Sequence, residues 1–185
     1  MKVFLDANIF VVKWVNDVIL SLGDAALCEL SWSRRVLDEA RDPLKRLCML
    51  DDDAITRYFQ AMNRAFPQAM TDGWEPLEDT VVLPDPDDRH VVAAARQAGA
   101  ELIVTFNIKD FPSSALNGIG LAAVTPDAFL TRLIDEYPEE TLRVVTMLVS
   151  SKKRPPRTMQ EEIQHLANTG CPLFASRVQS LIAAH

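Results

Sequence analysis

The chain has 185 residues, 48% of them hydrophobic, enough for the core of one ordinary domain with a small appendage. Its formal net charge of -7 argues against phosphate binding over the surface at large, and residues 1–126 hold 19 of the 26 acids but only 12 of the 19 lysines and arginines. Three cysteines, Cys28, Cys48 and Cys171, lie on apolar stretches with neither Cys-x-x-Cys nor Cys/His spacing, which excludes a disulfide framework and argues against structural zinc.

Lys2 to Leu5 is a short β-branched and aromatic run that reads as a buried strand, closed by Asp6. An acid there interrupts the apolar run a signal peptide needs, and no window is long enough to span a bilayer, so a reduced, cytoplasmic protein is expected. Apolar positions from Val15 to Leu22 follow helical spacing. Ser31 or Ser33 can cap a second helix carrying Val36, Leu37, Ala40 and Leu44, and Asp52 or Asp53 a third carrying Ile55, Tyr58, Phe59 and Met62. A loop marked by Pro67, Gly73 and Pro76 leads to Thr80-Val81-Val82-Leu83, a strand candidate stopped by Pro84 and Pro86.

Asp87 or Asp88 opens a helix whose interior, Val91 to Ala95, is small enough to pack closely on a sheet, and Gly99 closes it. Leu102 to Thr105 and Leu121 to Val124 are further strands. Strands alternating with helices in this order predict an α/β fold with a parallel central sheet, in which ligands bind beyond the carboxyl ends of the strands. Asp6 and the loop holding Asn107 and Asp110 both fall there. From Thr125-Pro126 onward the pattern is purely helical, with candidate helices at 126–136, 138–151, 158–168 and 172–184. The expected division is residues 1–126 as the α/β domain and 127–185 as a helical extension.

Asp6, Glu39, Asp88 and Asp110 are the acids with chemical potential. Each has an ordinary explanation alone: a strand end, a solvated helix residue, a helix cap, a turn. Asp6 and Asp110 follow strands at the end where such sheets bind ligands, Asp88 starts a helix near the same edge, and Glu39, beside Val36 and Ala40, needs a cation if it faces inward. Carboxylates a few ångströms apart cannot all ionise without counter-charge, and a hard divalent cation supplies it. Magnesium takes oxygen ligands, polarises a phosphoryl oxygen and activates water. Trp14, Trp32 and Trp74 read as core residues in preference to base-stacking platforms, and His90 as a surface helix residue. The basic run Lys152 to Arg157 reads as a solvated linker, with contact to RNA backbone or an acidic partner as the alternative.

Four stretches carry a family resemblance. They are Phe4-Leu5-Asp6-Ala7-Asn8-Ile9-Phe10, the helical acid Glu39, Leu83-Pro84-Asp85-Pro86-Asp87-Asp88-Arg89-His90 with the alanine-rich run after it, and Ile103-Val104-Thr105-Phe106-Asn107-Ile108-Lys109-Asp110-Phe111. In this order they resemble the successive motifs of PIN domains, in the branch of VapC-like toxins of toxin–antitoxin pairs, over roughly residues 1 to 126. The resemblance implies a Rossmann-like three-layer fold, a Mg2+ or Mn2+ site, and hydrolysis of RNA phosphodiesters by a metal-activated water. It maps Asp6, Glu39 and Asp88 onto the first three acids. The fourth position falls to Asp110, or to Asn107 as a neutral oxygen. Asn8 and Thr105 then orient carboxylates or waters, and Arg89 and Lys109 meet substrate phosphate. The resemblance also implies an antitoxin partner and a homodimer.

A haloacid-dehalogenase-type phosphatase requires Asp-x-Asp, and the second acid is here Asn8. A response-regulator receiver requires an adjacent acid pair after the first strand, which is missing. A non-catalytic PIN-like module binding RNA or protein stands as the alternative from another class.

Overall fold

The computed structural model describes residues 1–152 and 157–184. In chain order the elements are β1 (Lys2–Leu5), α1 (Ala7–Val11), α2 (Lys13–Asp24), β2 (Glu29–Ser33), α3 (Arg34–Cys48), α4 (Asp52–Ala65), β3 (Met70–Thr71) and α5 (Glu75–Glu78). They continue with α6 (Arg89–Ala98), β4 (Leu102–Val104), α7 (Ser113–Leu116), β5 (Ala122–Val124), α8 (Pro126–Glu136), α9 (Pro138–Ser151), α10 (Met159–Asn168) and α11 (Pro172–Ala184). Two compact units result: Met1–Val11 with Cys28–Thr125, and Val12–Leu27 with Pro126–His185.

The first unit contains a five-stranded sheet in the order β3-β2-β1-β4-β5, every neighbouring pair parallel. The expected α/β class with a parallel sheet holds. Val3, Phe4 and Leu5 of the central strand are fully buried, as a strand covered on both faces demands. Each such side chain contributes roughly 1.5–3 kcal/mol through burial. Helix α6 packs on β1, β2 and β4. Its residues Val91 to Ala95 are all without exposure, and small side chains among them are what let a helix axis approach a sheet closely. Gly99 ends α6 in the left-handed region at φ 67°, a conformation that costs a residue with a Cβ. On the other side Phe10 meets Trp32 and Phe59 edge-on at 6.0 and 6.3 Å, and the Trp32 indole N–H donates to Asn63 Oδ1 at 3.0 Å.

Three expectations are corrected. Residues 80–83 form no strand. The N–H groups of Thr80 and Val81 close turns onto the carbonyls of Leu77 and Glu78, Pro84 has no donor, and Val82 is 78% exposed, so nothing remains to pair with a sheet edge. Sequence missed the short β3 and also β2. Its Ser31 is buried because its hydroxyl donates to the Val3 carbonyl at 2.9 Å, while Ser33 alone caps α3 by accepting from Val36 N–H. The cap of α4 is Asp51, which accepts from Ala54 N–H at 2.7 Å, one residue before the acids favoured from sequence.

The second unit is helical, and the four C-terminal helices lie where their proline and cap signals place them. Trp14 is buried there, its indole N–H donating to the Glu162 carbonyl at 3.2 Å. Most of the basic run from Lys152 to Arg157 lies outside the described residues. Cys28 and Cys171 are buried free thiols, each pushed up to about 12 by burial. Among the described residues no helix is long and apolar enough to cross a membrane.

Asp127 of α8 closes this unit onto α11. Its Oδ1 and Oδ2 accept from Phe174 N–H at 2.9 Å and Leu173 N–H at 3.2 Å, satisfying two donors in the first turn of α11 with an acid at the positive end of the helix dipole. Asp127→Ala should therefore cost about 1–2 kcal/mol in urea unfolding, and a loss under about 0.5 kcal/mol would show that water replaces the cap.

Candidate active site

Asp6 follows β1 at its carboxyl end, and its backbone N–H still donates to Val104 of β4 at 3.1 Å. The side chain is 7% exposed and heavily hydrogen-bonded. Oδ1 accepts from Ala7 N–H at 2.7 Å. Oδ2 accepts from the Thr105 hydroxyl and from Asn8 Nδ2, each at 2.6 Å.

Thr105, fully buried one residue past β4, also accepts from Asn107 N–H at 2.9 Å and from Asn8 Nδ2 at 3.0 Å. The Asn8 carbonyl oxygen accepts from Phe106 N–H at 3.1 Å. Two strand ends are thus laced together through one carboxylate. Asn8 and Thr105, singled out from sequence as orienting residues, meet at Asp6.

Asp88 reaches the site through a different device. A 3-10 turn, Pro86–Asp88, is capped by Asp85, whose Oδ1 accepts from Asp87 N–H at 2.9 Å. Asp88 then sits at the N-terminus of α6 without spending its side chain on a cap bond. Asp87, the neighbouring alternative, is exposed.

Glu39 differs from its expectation. It does not face inward: its side chain is 41% exposed, and its Oε1 accepts from His90 Nε2 at 2.9 Å and Arg35 Nε at 3.3 Å. A second Arg35 nitrogen reaches Glu78 at 2.9 Å. The counter-charge sought from a cation is partly supplied here by the chain itself.

His90, expected on the surface, is 1% exposed. Its place as the second residue of α6, directly before the buried Val91 to Ala95 run, was the available signal. Arg35, one helical turn before Glu39, was missed as well, although that spacing marks an ion pair.

The electrostatics join these groups. Burial above all holds the Asp6 carboxyl over the ordinary range, against the lowering effect of the Thr105 and Ala7 bonds, and the charge of Glu39 adds to the rise. Asp88 is pushed up to about 6, first by burial and then by Asp6, Asp110 and Asp85, with His90 opposing. Of the two candidates for a fourth position, the charge of Asp110 is felt at Asp88. Asn107 is exposed, and so is Lys109; Arg89 is half-buried.

The donor set is entirely oxygen, suited to magnesium or manganese and unsuited to zinc. Among the described residues, however, no three His, Cys, Asp or Glu side chains are gathered closely enough to grip an ion. The arrangement is a set of acids that oppose one another's ionisation, chemically suited to a cation that retains several water ligands.

The family description "PIN domain" matches residues 2–109, and "VapC50 C-terminal domain" matches residues 126–180. A Mycobacterium tuberculosis protein named "Putative ribonuclease VapC50" is 39% identical over 94 residues, 51% of this chain and 55% of that protein. The match thus spans about half the length of that relative. No solved structure matches the chain.

A carboxyl whose folded-state value is raised binds its proton more tightly in the folded protein than in the unfolded chain. The associated stability is complete below the unfolded value near 3.8 and is lost as pH rises through about 6. Asp88→Asn should therefore raise stability in chelator at pH 7.5 by about 1 kcal/mol, after allowance for solvent screening of this partly exposed group, and change it little at pH 4. Thermal unfolding at the two pH values checks this, and an Asp88→Asn protein less stable at pH 7.5 would make the carboxylate a structural group.

Proposed function

The chain belongs to the PIN-domain family, and from that premise we propose that it is a metal-dependent endoribonuclease that hydrolyses RNA phosphodiester bonds, the toxin of a toxin–antitoxin pair. The observation that carries this reading is the Asp6 carboxylate, buried at the carboxyl end of the central strand, which feels the charge of Glu39 and acts with Asp110 on Asp88. The match of residues 126–180 to the VapC50 C-terminal domain and the name of the mycobacterial relative support the toxin assignment.

Asp6, Glu39, Asp88 and Asp110 are the residues that would hold Mg2+ or Mn2+. When bound, the ion supplies polarisation of a phosphoryl oxygen and activation of a water. The chain's own part is positional. Thr105 and Asn8 lock Asp6 so that its carboxylate cannot swing out of the pocket, and Asn107, tied through its N–H to Thr105, holds the loop that brings Asp110 forward. Arg89 and Lys109 flank the acids and supply positive charge for RNA phosphates, the local exception to an acidic protein. Residues 1–126 form the nuclease segment and 127–185 the helical extension, a division supported by family matches that fall on either side of it.

The partner fitting this site is a cytoplasmic antitoxin protein carrying an arginine-bearing segment, since a guanidinium pairs with clustered carboxylates. A homodimer follows from the family reading. The competing assignment, a non-catalytic module binding RNA or protein, draws on one observation: Glu39 is already paired with Arg35 and His90.

Cleavage of a mixed RNA pool separates the two. Wild type should cut with Mg2+ or Mn2+ and not with chelator, and Asp6→Asn and Asp88→Asn should each lower cleavage by at least about 100-fold while remaining folded. Absence of metal-dependent cleavage by the wild type would favour the binding module.

A further inference from the structure

We infer that His90 is a positioning residue for the acid site, holding the Glu39 carboxylate in the orientation from which it meets the cation. This rests on the metal-dependent reading above and adds to it a residue that lies outside the acid set.

The geometry is unusual for a histidine packed merely as core. The ring is 1% exposed, and its Nε2 stands 2.9 Å from Glu39 Oε1. A carboxylate only accepts hydrogen bonds, so Nε2 carries the proton in this contact whichever charge state the ring has. Nδ1 is buried and finds no hydrogen-bond partner among the described residues. The polar connection of the ring therefore runs to Glu39. A phenyl ring would fill the same space without leaving a buried nitrogen unsatisfied. The indole of Trp74, itself 7% exposed, lies 6.0 Å from the imidazole at 52°, and α6 packs on the sheet behind it. The ring cannot turn away.

Glu39 is the reverse case. It is the most exposed of the first three acids, and a glutamate on a helix surface samples many rotamers when nothing holds it. Arg35 approaches the same Oε1 from the solvent side at 3.3 Å but is 40% exposed and shared with Glu78. His90 is the buried, fixed contact. Both bonds end on Oε1. Partners of this kind, which orient a ligand through a hydrogen bond, typically alter metal affinity by about 10–100-fold.

Mn2+ affinity of the purified full-length apo-protein, read from the electron paramagnetic resonance signal of free aqueous Mn2+, tests this without recourse to activity. His90→Phe keeps the ring packing and lacks the donor; it should weaken Mn2+ binding by about 10-fold. His90→Gln, with an amide that reaches toward the same oxygen, should stay within about threefold of wild type. In a Glu39→Gln background, His90→Phe should produce no further loss, because its effect passes through Glu39. Should His90→Phe fail to fold, His90→Asn, too short to reach Oε1, takes its place. Wild-type affinity in the donor-less variant would overturn the inference, as would equal loss in His90→Gln or an undiminished loss in the Glu39→Gln background. Failure of the wild type itself to bind Mn2+ would instead sink the metal-dependent reading, and the role of His90 with it.

Discussion

Burial of the Asp6 carboxylate is the constraint around which the first unit is arranged. Removing a carboxylate from water is costly unless hydrogen bonds replace the lost hydration. Here they come from Ala7 N–H, the Thr105 hydroxyl and Asn8 Nδ2. Those donors sit on the segments that leave β1 and β4, so the same bonds that solvate the charge also tie two neighbouring strands at their carboxyl ends. The compensation is incomplete, because the Asp6 carboxyl remains raised and Asp88 is raised partly by Asp6. The fold thus brings together acids whose ionisation is mutually unfavourable.

Much of this was legible in sequence where the local rule and the tertiary demand agree. The alanine-rich run after Asp88 reads as a helix packed on a sheet, and it is one. Pro126, Pro138, Thr158 and Pro172 mark helix starts that no packing overrides: Thr158 forms a capping box with Glu161, and the prolines occupy positions where a missing N–H costs nothing. Asp6 is marked by its place after a buried strand, and Asn8 and Thr105 by the resemblance to PIN-domain motifs. Their meeting point at a single carboxylate oxygen is a tertiary fact that spacing cannot express.

The misreadings differ in cause. Ser31-Trp32-Ser33 looks like a cap region because serines rarely fill a buried strand, yet Ser31 is satisfied by a backbone carbonyl of the neighbouring strand. Residues 80–83 have strand composition, and turns closing α5 take the backbone donors that a ladder requires. His90 looks like a surface residue at a helix start until Glu39, 51 positions earlier, is seen to accept its proton. For Ser31 and His90 the deciding partner lies far away in sequence, whereas for residues 80–83 it is the adjoining turn. The pairing of Glu39 with Arg35 and His90 also moves that acid from an expected inward-facing position to the rim, where it is held by side chains and not by burial.

The most direct test of the acid pocket as a cation site is a crystal structure of the protein soaked in Mn2+, with data collected for anomalous scattering. The account predicts an anomalous peak about 2–2.5 Å from carboxylate oxygens of both Asp6 and Asp88, with water completing the coordination. Crystals that take up Mn2+ elsewhere and show no peak beside Asp6 would contradict it.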